Sequence, residues 1–201
     1  MPIYDNEIVF LHIPKTGGTV IENLLKKQRK ETFYGASKSG FSMQHYTMDK
    51  LNTYINKNNN LFKNNVFKFT FLRNPFDKIL SSYLCWGINN TPDFDKYIDM
   101  VKNVVENKLY LTTVAINTND LSNFIPMTEM IGRNEVHFLG KFEDFDNDIN
   151  ILSIIEPRLK YLNEIVIKKN NVNYRDYYNE RNRKIIEELY AEDLKRFNYS
   201  F

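Results

Sequence analysis

The chain has a single cysteine, Cys85, in 201 residues, which excludes an intrachain disulfide framework and a cysteine-rich zinc site. It has no apolar run approaching the ~18 residues of a membrane-spanning helix, and no basic segment leading into a signal-type apolar core at its N-terminus. We therefore expect no membrane partner and a cytoplasmic setting. Charge of one sign is also missing: 27 Lys and Arg against 25 Asp and Glu leave +2. That is too little for nucleic-acid binding through bulk charge, so no nucleic-acid partner is expected, and any polyanion contact must come from a local cluster. Internal repeats and Pro/Gly/Ser linkers are absent. With a length close to one typical domain, residues 1–201 are expected to form a single domain. The 42% hydrophobic and 26% charged residues are an ordinary globular balance.

What is present is an alternation of short apolar runs and helical spacing. Glu7 to Ile13 (EIVFLHI) reads as a buried strand, apolar on both faces, Val66 to Leu72 (VFKFTFL) as a second buried strand and Val136 to Phe142 as a third strand. Helical spacing follows over Thr19 to Lys30, Thr47 to Asn56, Phe76 to Cys85, Asp93 to Asn107 and Asp144 to Ile155, and in one long amphipathic helix over Glu180 to Phe197. Asn58 to Asn60 and Asn64-Asn65 mark a polar loop. The pattern predicts an α/β fold of three-layer α/β/α, P-loop type with a central parallel sheet. In such sheets ligands sit outside the carboxyl ends of the strands.

Two strand ends carry chemistry. The first strand runs into His12-Ile13-Pro14-Lys15-Thr16-Gly17-Gly18-Thr19 and then a helix. Gly17 and Gly18 permit consecutive N–H groups to point inward, and the helix adds its unpaired N–H groups and the positive end of its dipole. Lys15 adds a cation, and Thr16 and Thr19 add hydroxyl donors. The alternative is a plain strand–turn–helix with Thr19 as N-cap. The loop is not a Walker A sequence, because its lysine precedes the glycines. Nor does an acidic residue end the next strand to hold magnesium, since Val66 to Leu72 runs into Arg73. No metal is expected. The second strand end reads Arg73-Asn74-Pro75-Phe76-Asp77-Lys78-Ile79-Leu80-Ser81. Arg73 and Ser81 could grip one phosphate, Arg through its forked donors; equally, Arg73 could pair with Asp77 at a helix start.

Together the two stretches resemble the sulfotransferases that use 3′-phosphoadenosine 5′-phosphosulfate (PAPS), closest to the carbohydrate-type branch that includes the heparan sulfate 2-O-sulfotransferases. Gly140-Lys141-Phe142-Glu143-Asp144-Phe145 and Tyr190 to Phe197 extend the likeness. The resemblance implies that Lys15, Thr16, Gly17, Gly18 and Thr19 hold the 5′-phosphosulfate and that Arg73 and Ser81 hold the 3′-phosphate. It also implies that adenosine 3′,5′-bisphosphate (PAP) leaves as product without a catalytic metal. Lys15 would stabilise charge on the bridging oxygen as sulfate departs. The acceptor would be a hydroxyl, on a glycan. A nucleotide-binding kinase and a non-catalytic glycan-binding module on the same fold are the competing readings.

A hydroxyl acceptor needs a base. Relatives in this branch use a histidine, and His45, in Met43-Gln44-His45-Tyr46-Thr47, is the candidate; its plainer reading is a surface histidine bonded by Thr47. His12 is expected to shape the loop and His137 to be structural on a buried strand, with Glu22 and Glu143 as weaker bases. Lys26, Lys27, Arg29 and Lys30 form a basic cluster, either an anionic-glycan site or a solvated helix C-terminus. Phe41, Tyr83 and Trp86 could stack on sugars or belong to a core. Lys168, Lys169 and Asn170 would close over the donor.

Overall fold

The structure, a computed structural model, describes residues 3–31, 45–62, 65–87, 89, 91, 93–111, 121–167 and 172–201. Phe41, Lys168, Lys169, Asn170 and the Trp86 side chain lie outside the described residues. In chain order the strands and α-helices are β1 (Ile3–Tyr4), β2 (Ile8–Leu11), α1 (Gly18–Gln28), α2 (Met48–Lys57), β3 (Phe67–Leu72), α3 (Pro75–Ser82), α4 (Phe94–Glu106), α5 (Met127–Ile131), β4 (Phe138–Lys141), α6 (Phe145–Ile155), α7 (Glu180–Leu189) and α8 (Ala191–Phe197). The fold is mixed α/β, a mainly parallel sheet flanked by helices, as the alternating pattern implies. Residue contacts group the chain into two compact units, Met1–Leu72 with Glu129–Lys168 and Arg73–Thr128 with Lys169–Phe201.

The first unit holds the sheet, in the order β1-β2-β3-β4. β2, β3 and β4 are parallel, with Leu11 opposite Thr70 and Thr70 opposite Leu139. Every residue of β2 is buried, which is why its run is apolar without alternation. Phe10, Phe69 and Phe71 pack with Ile21 and Leu25 of α1 and with Phe145, Ile149 and Leu152 of α6 in one core. The expected first strand is shorter than the apolar run, because Glu7 belongs to a turn. Asp5 and Asn6 there adopt positive φ and fold the two-residue β1 back antiparallel.

Arg29 fastens this turn. Its guanidinium donates to Asp5 (3.0 Å), Glu7 (2.9 Å), the Tyr161 hydroxyl (2.8 Å) and the Arg158 carbonyl (2.7 Å). It therefore leaves the surface cluster of cations in which the sequence placed it, and only Lys26, Lys27 and Lys30 remain exposed there. His137 is exposed and precedes β4 instead of lying buried within it. It is structural all the same: its Nδ1 accepts from the Lys68 N–H (2.9 Å) and its own N–H donates to the Lys68 carbonyl (2.8 Å), continuing the ladder.

The second unit packs α3, α4 and α7 around Phe76, Ile79, Tyr97, Val101, Phe124 and Ile186. Tyr83 is buried in this core, so it is no sugar platform. The single long C-terminal helix of the sequence reading is two helices that meet at Tyr190, whose φ of −113° leaves the helical range. Tyr190 donates to the Phe124 carbonyl (2.8 Å), and Asp193, on the next turn, accepts from the Met127 and Thr128 N–H groups (2.8 Å each). These partners lie over sixty residues away, and no Gly or Pro marks the break.

Candidate active site

β2 ends at Leu11, and the chain passes through Lys15 (φ 66°) and Gly17 (φ 83°), both left-handed, into α1. Gly17 is the N-cap, so no side chain caps the helix, and its first turn contains no acidic residue. An uncapped helix start with no carboxylate suits an anion. Gly18 is required by a close approach: a Cβ there would lie 2.2 Å from Cδ2 of His12. Thr16 is fully buried and its hydroxyl donates to the Ile13 carbonyl at 2.8 Å, so its side chain braces the loop. Thr19 is exposed in the first turn, and Lys15 is half-buried.

Beneath this loop the histidines meet. The His12 imidazole lies against Gly18 and donates from Nδ1 to Oε1 of Glu22, 3.1 Å away, with both side chains buried. Burial pushes the Glu22 carboxyl up, but the opposing hydrogen bonds and positive charges, those of His12 first and the N-terminus after it, together hold the group below the ordinary carboxylate value. His45 Nδ1 lies 2.9 Å from the His12 carbonyl oxygen, and the two rings make an edge-on contact with centroids 4.7 Å apart. A carbonyl only accepts, so His45 carries a proton on Nδ1, and in the neutral ring Nε2 bears the lone pair. The bond expected from Thr47 goes elsewhere: Thr47 caps α2, accepting from the Lys50 N–H at 3.5 Å.

β3 is the hydrogen-bonded parallel neighbour of β2, so the carboxyl ends of the two strands open on one edge of the sheet. Arg73 directly follows β3. Its Nε donates to Asp77 Oδ2 at 2.8 Å, the pairing left open by the sequence. Asp77 and Ser81 stand four residues apart on α3 and so share a face; Ser81 is half-buried. Asn74, not singled out by the sequence reading, caps α3 by accepting from the Phe76 N–H (3.1 Å) and ties it to the Ser200 carbonyl (2.8 Å). An Asn directly before a Pro at the first helical position was the signal for that cap. Glu22 is committed to His12, and Glu143 is exposed after β4. Among the described residues no group of three or more His, Cys, Asp or Glu is placed to hold a metal, and no helix is long and apolar enough to cross a membrane.

A strand running into an uncapped helix start preceded by lysine suits an anion, and a second strand runs into Arg73-Asn74-Pro75. The family model described as the sulfotransferase family matches residues 4–200, nearly the whole chain. The chain belongs to that family, and is by family a PAPS-dependent sulfotransferase that transfers a sulfuryl group to a hydroxyl-bearing acceptor and releases PAP. No curated protein and no solved structure gives a significant match. Membership decides between the readings that the sequence left open, in favour of sulfuryl transfer.

Proposed function

We propose that the acceptor is a carbohydrate hydroxyl, that residues 1–201 work as one sulfotransferase domain, and that both strand-end motifs hold the donor. The observation that carries the reading is the start of α1, uncapped and free of carboxylates directly after Lys15. There Lys15, the N–H groups of Thr16, Gly17 and Gly18, and Thr19 hold the 5′-phosphosulfate, while Arg73 and Ser81 hold the 3′-phosphate. The donor supplies a sulfur with a good leaving group: the acceptor O–S bond forms, the S–O bond to the bridging oxygen breaks, and PAP departs with that electron pair. His45 Nε2 takes the acceptor proton. Lys15 compensates the charge that grows on the bridging oxygen, a contribution realised mainly in the transition state.

The test is transfer of labelled sulfate from PAPS to a panel of neutral and anionic oligosaccharides alongside simple alcohols and phenols. Labelled oligosaccharide supports the reading, whereas label only in the alcohols and phenols overturns the carbohydrate assignment. In the same assay His45→Gln is expected to lower turnover while sparing PAP affinity, and full turnover would move the base elsewhere.

A further inference from the structure

Glu22 is a buried carboxylate in the first half of α1 that no part of the transfer chemistry above uses. A buried carboxylate is retained only with partners that repay its desolvation. Its Oε1 accepts from His12 at 3.1 Å, and its Oε2 lies 3.9 Å from the Lys26 ammonium. His12 in turn touches three things at once: Gly18 through its ring, Glu22 through Nδ1 and His45 through its carbonyl and ring. Phe10 stacks on the His12 ring with centroids 5.6 Å apart, which limits its rotation.

We propose that Glu22 and His12 are positioning residues for His45, holding its ring in one tautomer and supplying the negative charge that balances the proton His45 accepts. The proposal deepens the reading of His45 as base and rests on it. The physical case is electrostatic. When His45 takes the acceptor proton it becomes an imidazolium with a second imidazole 4.7 Å away. Two adjacent imidazoles share protons at a cost unless a carboxylate neutralises one of them, and Glu22 lies in bonding contact with His12 for that purpose. His12 does not touch the acceptor proton; it transmits the position and charge of Glu22. Among the described residues, the charged and titratable groups that act on Glu22 include Lys26, with Glu31 3.6 Å beyond it, and Tyr4, and the positive N-terminus also acts on it; in the chain, Lys15 lies in the loop and Asp49 and Lys50 follow His45 on α2.

The chain contains three histidines, His12, His45 and His137, so the imidazole C–H signals can each be assigned and titrated by NMR in the whole protein without knowing the acceptor. In Glu22→Gln, which keeps a hydrogen-bond acceptor but loses the charge, the His45 midpoint is expected to fall by about half a pH unit or more, roughly a threefold loss of proton affinity. His137, bonded to Lys68 at the strand edge, serves as the internal reference and stays in place. Glu22→Asp, which keeps the charge, is expected to restore most of the shift, and it serves as the charge test if the Gln variant does not fold. A His45 midpoint unchanged in Glu22→Gln, or for Glu22→Asp a midpoint displaced as far as by full charge removal, overturns the proposal. Failure of the underlying reading shows separately, as full sulfate transfer by His45→Gln alongside an intact NMR shift.

Discussion

Lys78 has almost no water contact, at 1% exposure, and instead donates to the carbonyls of Asn123 (2.7 Å) and Ile125 (3.1 Å) with the Tyr190 ring 5.7 Å from its ammonium. Burial pushes that ammonium down to about 8, with Asp193 opposing the shift. Truncating it to Ala would leave two buried carbonyls unpaired beside a cavity, so Lys78→Ala is expected to lower unfolding stability by about 3 kcal/mol in chemical denaturation. A loss under about 1 kcal/mol would mean water replaces the ammonium. Gly18 makes the complementary case: in Gly18→Ala the new methyl would collide with the His12 ring at 2.2 Å. That variant is expected to weaken PAP binding by displacing the ring and loop, which calorimetry reads. The sequence announced Gly17-Gly18 as a turn but could not reveal why the second glycine is needed, because the reason is the His12 ring, six residues earlier and just past the end of β2. Nothing in the sequence singles out Lys78, since its carbonyl partners lie 45 and 47 residues further on.

Among elements, those with long local patterns were legible and those held by distant partners were not. β2, β3 and β4 and helices α1, α2, α4 and α6 stand within a few residues of their expected bounds, because apolar period and helix start signals are local. β1 was missed although Asp5-Asn6 is a turn signal, since two residues carry no period. The break between α7 and α8 was missed because Tyr190 is pulled out by Phe124. The π-helical Tyr83–Gly87, which cuts α3 short of Cys85, is likewise unmarked in the sequence. α3 carries Ser81, and its start depends on Asn74. Asn74→Ala is therefore expected to cost roughly 1 kcal/mol of stability in denaturant titration, as for loss of a helix cap. A neutral result would mean that Pro75 alone sets the helix start.

For the whole molecule the balanced charge is consistent with local, not bulk, recognition of a polyanionic donor, and pH acts through a few buried groups. Between about 8 and the ordinary lysine value of 10.5 the unfolded chain binds a proton at Lys78 that the folded chain does not. Stability is therefore expected to rise with pH across that window, and the rise should be absent in Lys78→Ala. Glu22 acts at the other end. Its folded value lies below the ordinary carboxylate value of 4.5, so its contribution is present above that value and is lost as pH falls through the folded one. Glu22→Gln should flatten this acid limb in pH-dependent melts, and an unchanged limb would assign it to other carboxylates.

The assignment of the two strand-end motifs to opposite ends of one donor is tested most directly by calorimetric titration of PAP and of adenosine 5′-phosphate, which lacks the 3′-phosphate, into the wild type, Lys15→Ala and Arg73→Ala. Lys15→Ala is expected to weaken both ligands. Arg73→Ala is expected to weaken PAP by roughly 1.5–3 kcal/mol, as for a charge-assisted hydrogen bond, and to leave adenosine 5′-phosphate unchanged. Equal losses for the two ligands in Arg73→Ala, or no loss of PAP affinity at all, would contradict the account.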